Sequence, residues 1–284
     1  MVRLLLVLLL LPLLAFALWW ITQKPSHQRD WADDVSQLLQ WEQQGSVVTL
    51  TNVRHFDWRS EADYTPRWET RQYNLDSLES ADLVLSYWMG PHIAHTLVSF
   101  GFDDGRHLVF SLEIRKERGE AFSAVAGFFR QYESVLIASE EDDILRTRTN
   151  TRGEDVYLYR LAIPREQLRT LFMAYLDKAR DIEQHPQFYN TLTSNCTTIV
   201  IDIARRIAPG LPMDYRLLAS GHFAEYAYDQ GGLVAGYDFD TLHRLGRITD
   251  RAQSVSPNDN FSVLIREGVP TPGHNSNNNG RRRP

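Results

Sequence analysis

Two strand-like runs joined by a tight turn constrain this chain more than any other feature. His95 to Phe102 (HTLVSFGF) and His107 to Arg115 (HLVFSLEIR) flank Asp103-Asp104-Gly105. A DG turn between alternating runs is a strong β-hairpin signature, because glycine supplies the positive φ that such turns need. A three-residue Asp-Asp-Gly loop pairs position 102 with 106, so 95 pairs with 113 and His95 lies opposite Glu113. Side chains alternate between the two faces of a strand, and a slip of one residue would put Ile114 there instead. A carboxylate facing an imidazole can orient it and stabilise its charged form, which is the third-member role in a catalytic triad. His107, on the same hairpin, competes for that role, and an ion pair with Arg115 or Arg118 is the plain alternative use of Glu113.

The second clear signal is TLTSNCTTIVIDIARRIAPG, from Thr191 to Gly210. Ile199, Val200, Ile203, Ala204 and Ile207 form a helical stripe. Ser194 or Asn195 is a natural N-cap, and Pro209 with Gly210 ends the helix. Cys196 therefore falls in the first turn. It is the sole cysteine of the chain, so no internal disulfide staples the fold. The thiolate is the nucleophile, yet a free thiol with a pKa of about 8.5 is mostly protonated at neutral pH. A helix N-terminus favours the anion through its unpaired N–H groups and dipole, and a nearby histidine favours it further. The alternative is a small buried hydrophobe on a core helix. The polar surroundings of Ser194, Asn195, Thr197 and Thr198 favour the reactive reading. In it His95 takes the Cys196 proton. The Cys196 backbone N–H supplies an oxyanion donor, with the Asn195 side chain as a second donor and Thr197 in support.

The rest of the chain is read more coarsely. Residues 24 to 45 suggest a linker and a short polar helix, from the spacing of Trp31, Val35, Leu38, Leu39 and Trp41. Ser46 to Arg54, Leu83 to Trp88 and Asp155 to Ile163 read as strands, and Phe56 to Asp76 as loop-rich. Phe122, Phe128, Phe129 and Tyr132 are expected in the core. Pro164 opens a helix with Leu168, Leu171, Phe172, Tyr175 and Leu176 on one face. The tail from Pro270 is low in complexity and expected to be disordered. The domain division is a leader at 1–23, a linker with a short helix at 24–45, a catalytic-like domain at 46–268 and a tail at 269–284.

The leader is the continuous apolar run Leu4 to Ile21, preceded by Arg3 and closed by Trp19 and Trp20. It is near the lower limit for spanning a bilayer, and its aromatic end suits the membrane interface. Ala15-Phe16-Ala17 has the form of a signal-peptide cleavage site, but the run continues beyond it, which favours a retained anchor. Either reading puts the remainder outside the cytoplasm, in an inner-membrane, periplasm-facing arrangement. A net charge of -6 argues against a nucleic-acid partner. There is no HExxH, no paired CxxC, no P-loop and no GxSxG, so neither metal nor cofactor is expected. His92 and His95 are three apart and fall on opposite faces of a strand. Asp142-Asp143 reads as a solvated acidic pair.

The stretches AHTLVSFGFDDGRHLVFSLEIRKERGEAFS, EDDILRTRTNTRGEDVYLYRL and FYNTLTSNCTT resemble the bacterial domain named after the N-terminal periplasmic domain of the lipoprotein intramolecular transacylase Lnb. The likeness covers roughly residues 45 to 265. It implies a thiol acyltransferase with His95 and Cys196 as catalytic residues. The order of histidine before cysteine is similar to circularly permuted papain-like folds. The fold expected is therefore α+β, a permuted papain-like (NlpC-like) thiol fold with the nucleophile helix packed on an antiparallel sheet. A single apolar segment departs from the transacylase itself, so a lipid- or acyl-linked substrate is implied without its identity. A cysteine peptidase or amidase on cell-wall peptides, and a non-catalytic envelope scaffold, stay open as alternatives.

Overall fold

A computed structural model of the chain describes residues 2–120, 129–191 and 193–272. Its centre is a mainly antiparallel sheet with helices on both faces. In chain order the strands are β1 (Gln40–Gln44), β2 (Val47–Arg54), β3 (Asp57–Trp58), β4 (Tyr64–Thr65), β5 (Trp68–Asn74), β6 (Leu78–Tyr87), β7 (Ala94–Phe102), β8 (His107–Arg115), β9 (Glu133–Ser139) and β10 (Asp155–Arg160). Across the sheet they run β1-β2-β9-β8-β7-β6-β10, with β5 also paired to β2 and with β3 and β4 forming a separate ribbon. The single parallel contact is Arg54 with Ser139.

The helices are α1 (Val2–Thr22), α2 (Glu141–Arg146), α3 (Arg165–Gln184), α4 (Cys196–Ala204), α5 (Phe223–Asp229), α6 (Phe239–Gly246), α7 (Thr249–Ser254) and α8 (Phe261–Leu264). Alternation on the central hairpin divides the core. Val98, Phe100, Phe110 and Leu112 face α3, where Phe100 meets Phe172 edge-on at 5.1 Å and Phe110 stacks on Tyr175 at 5.0 Å. Ile199 and Ile203 of α4 join this layer. Leu97 and Val109 point the other way, onto Ile144 and Leu145 of α2 and onto Ile248, Phe261 and Ile265 near the C-terminus. Both faces are covered, so β7 and β9 are buried almost throughout.

The hairpin has the expected register. Leu97 pairs with Ser111 and Gly101 with His107, and Phe102 N–H donates to Arg106 O at 3.0 Å across a turn in which Gly105 has φ +80°. The helix after Pro164 buries Leu168, Leu171, Phe172, Tyr175 and Leu176 as its spacing demands.

Several local expectations are corrected. The polar helix over 24–45 is a single 3-10 turn (Asp33–Val35) followed by strand β1. Gly45, at φ +63°, lets β1 fold back on β2, and hairpin pairing wins over the helical spacing of Trp31, Val35 and Leu39, all of which are still buried. The segment read as loop-rich contains β5, whose only fully buried residue is Tyr73, so its apolar signal is weak. Strand β9 carries no alternation signal because its centre, VLIA, is an unbroken apolar run. Asp143 is not solvated: it is buried, holds Arg54 at 3.0 Å and accepts from Phe56 N–H at 2.8 Å. Tyr132 is buried as expected, whereas Phe129 is exposed and meets Phe16 of α1 edge-on at 6.2 Å. Phe122, Phe128 and the tail from residue 273 lie outside the described residues. Among the described residues no helix is long and apolar enough to cross a membrane; the side chains of α1 are described from Leu10 onward.

Candidate functional site

Helix α4 begins at the cysteine. Asn195 caps it, its side-chain oxygen accepting from the N–H groups of Thr197 and Thr198 at 2.9 Å each, while the Thr198 hydroxyl accepts from Asn195 N–H. This capping box fixes Cys196 as the first helical residue. The Asn195 amide nitrogen donates to Thr191 O at 2.7 Å. The Asn195 side chain is thus engaged in building the turn rather than aimed at a reacting oxygen. Thr197 is fully buried, and its hydroxyl meets the Thr96 hydroxyl at 2.9 Å, which stitches the start of α4 to β7 beside His95.

His95 sits near the start of β7 with a side chain 14% exposed. Its Nε2 lies 2.7 Å from Ser111 Oγ and 3.2 Å from Glu113 Oε1, and Ser111 Oγ donates to the same carboxylate oxygen at 2.7 Å. The Cys196 thiol lies close enough to the same imidazole for each to shift the other's titration, and its sulfur is 4.0 Å from Thr197 Oγ1. With Nε2 turned to Ser111 and Glu113, Nδ1 is the nitrogen left for sulfur. His107, the competing third member, is at the far end of the hairpin with its Nδ1 at Gly105 O.

The charge pattern follows from these contacts. Burial, the largest single influence, pushes the His95 imidazole toward neutrality, but the Glu113 carboxylate and the Cys196 thiolate together outweigh it and raise the pKa from 6.5 to about 9. Burial pushes the Cys196 thiol up. The His95 charge and hydrogen bond, with the Thr96 backbone N–H and the Thr197 hydroxyl, outweigh burial and bring it below 9.0. Burial likewise opposes ionisation of Glu113, yet His95 and Arg148 hold it well below the carboxylate range. Glu113, His95 and Cys196 thus each shift the next toward its charged form.

Five residues that the sequence reading did not single out complete the arrangement. Arg148, on a π-helical turn (Thr147–Thr151), bridges Glu113 and Glu154 at 3.0 Å each, and the Ser86 hydroxyl donates to Glu154. Ser111 was within reach of the period-2 rule, since it shares a face with Glu113. Arg148 and Glu154 carry no local signal, because only the folded turn brings them to the hairpin. Tyr189, seven residues before the cysteine, lines the same cavity as Cys196. Burial first, then the charges of Cys196 and Glu113, raise its pKa, so the phenol keeps its proton.

The cluster opens into a cavity of about 720 Å³. Its lining mixes apolar side chains, Trp88, Met89, Ile93 and Leu218 among them, with the charged Asp34, Lys116 and Glu120. A cavity of this size accommodates a drug-sized or single-acyl ligand.

Compared with known proteins, residues 64–221 match the family model described as the Lnb N-terminal periplasmic domain. The match spans more than half of the chain and includes His95, Glu113, Arg148, Tyr189 and Cys196. No curated protein and no solved structure matches the chain.

Proposed function

The chain belongs to the Lnb N-terminal periplasmic domain family, and from that premise we propose that it is a membrane-anchored thiol acyltransferase or hydrolase acting on a lipid- or acyl-linked substrate. The supporting observation is the His95 imidazole held between the Glu113 carboxylate and the Cys196 thiol at the floor of a half-apolar cavity. Cys196 sulfur attacks an ester, thioester or amide carbonyl. The tetrahedral oxyanion is met by the Cys196 backbone N–H and the Tyr189 hydroxyl. On collapse the carbon–heteroatom bond breaks, His95 gives its proton to the leaving group, and a thioester remains on Cys196. An amine, hydroxyl or water then takes the acyl group while His95 accepts its proton, which regenerates the thiolate. The cysteine at a helix start against a histidine hairpin is the layout of a permuted papain-like fold. The apolar run of α1 supplies the inner-membrane anchor, with the domain in the periplasm, where an anchored site meets substrates that do not leave the bilayer.

The charged side chains of the lining favour a second reading, a cysteine peptidase or amidase, since peptides suit a cleft with polar groups. Intact-mass analysis after incubation with a phospholipid, and separately with a cell-wall peptide, tests both. An acyl adduct that hydroxylamine removes, present with Cys196 and absent in Cys196→Ser, supports the acyltransferase. Cleavage of the peptide alone supports the amidase. Neither product leaves a non-catalytic scaffold.

A further inference from the structure

Apolar side chains left in water are informative when they cluster. Among the described residues, seven large apolar side chains outside α1 are strongly exposed. Five of them stand on two loops: Trp88 and Met89 after β6, and Met213, Tyr215 and Leu218 before α5. A sixth, Phe129, packs on Phe16 of α1. The two loops are tied into one lip, because Tyr87 hydroxyl donates to Gly221 O at 2.6 Å, Gly221 N–H to His92 O at 3.0 Å and Ala94 N–H to Ser220 Oγ at 3.0 Å. Trp88, Met89 and Leu218 also line the cavity that contains Cys196.

The end of α1 is fixed at the same end of the sheet. Arg130 lies over the Trp20 ring at 4.6 Å and the Phe188 ring at 5.8 Å, and it donates to Trp20 O at 3.2 Å. Phe188 pairs with Glu133 at the start of β9, Glu133 with Arg115 at the end of β8, and Tyr87 at the end of β6 with Ala94 at the start of β7. The chain leaving α1 at Thr22 reaches the cavity at Asp34, which binds Lys116 at 3.7 Å. The end of α1 and the apolar lip therefore stand at the end of the sheet where His95, Glu113 and Lys116 line the cavity.

We propose that the lip formed by Trp88, Met89, Met213, Tyr215 and Leu218 seats in the leaflet that α1 enters, so that the Cys196 cavity opens directly onto lipid acyl chains. This rests on the reading of α1 as a membrane anchor. Trp and Tyr favour the bilayer interface, and apolar surfaces of this kind enter it at the boundary of headgroups and chains. A chain of net charge -6 gains little from anionic headgroups, so apolar insertion is the force available.

The test uses the full chain in phospholipid nanodiscs, in a Cys196→Ser background, with a bimane label on Met89→Cys, on Leu218→Cys or, as control, on Glu166→Cys at the exposed start of α3. Lipids brominated on the acyl chain should quench the labels at 89 and 218, at a depth of about 5–10 Å, and leave 166 unquenched. A chain that co-purifies with the nanodiscs while 89 and 218 stay unquenched overturns the seating alone. Labels at 89 and 218 that are shielded by a second copy of the chain, seen as mutual excimer formation with pyrene, also overturn it. A chain that fails to co-purify refutes the anchor and the seating together.

Discussion

The carboxylate of Glu113 is the group whose removal should change the chemistry most while leaving thiol and imidazole in place. It touches His95 Nε2 at 3.2 Å, and it is the largest of the influences that together lift the imidazole from 6.5 to about 9 against burial. At about 1.36 kcal/mol per pH unit, that difference is about 3 kcal/mol in favour of imidazolium. Glu113→Gln keeps the shape and removes the charge. Arg148 stays nearby and opposes protonation of His95, so the imidazole becomes neutral at pH 7 and the buried thiol keeps its proton. Alkylation of Cys196 by iodoacetamide at pH 7 should slow by up to about 100-fold. The rate should no longer level off between the lowered thiol pKa and about 9 but climb throughout that range. Arg148 retains Glu154, so the protein should still fold, with a stability loss of at most about 3 kcal/mol. An alkylation rate and pH profile within about twofold of wild type would refute the electrostatic reasoning.

Two further outcomes test the scaffold around the site. Asn195→Ala removes the cap from two N–H groups and should cost about 1–2 kcal/mol in urea unfolding, with a thiol pKa moving upward as the turn loosens. Gly221→Ala would put a Cβ 2.2 Å from Pro91 O and 2.7 Å from His92 C, so backbone must shift. The expected cost is about 1–3 kcal/mol, together with altered access of bulky maleimides to Cys196.

The site was legible wherever a local rule fixed geometry. A glycine-closed turn sets the hairpin register, so Glu113 could be placed against His95 from the sequence. An asparagine before a helical stripe places Cys196 at a helix start. What escaped was non-local. Arg148 and Glu154 reach the hairpin only through a π-helical turn, and Tyr189 comes into the cavity beside Cys196 only after the segment before α4 loops back. Strand β9 carries no alternation because both of its faces are buried, and β5 carries little because most of it is not. The helical spacing before β1 was misleading because Gly45 makes a hairpin that periodicity does not register.

The central claim is that His95 makes a thiolate of Cys196, and the thiol pKa measures it most directly. It is read from the pH dependence of alkylation in the full chain and in His95→Ala, with a single cysteine to report. The account predicts a wild-type thiol that titrates below 9.0, and one in His95→Ala that titrates above it, because burial, the largest influence, is then opposed only by the Thr96 and Thr197 hydrogen bonds. A thiol with the same pKa in both proteins, or one inert to alkylation at every pH, would contradict it.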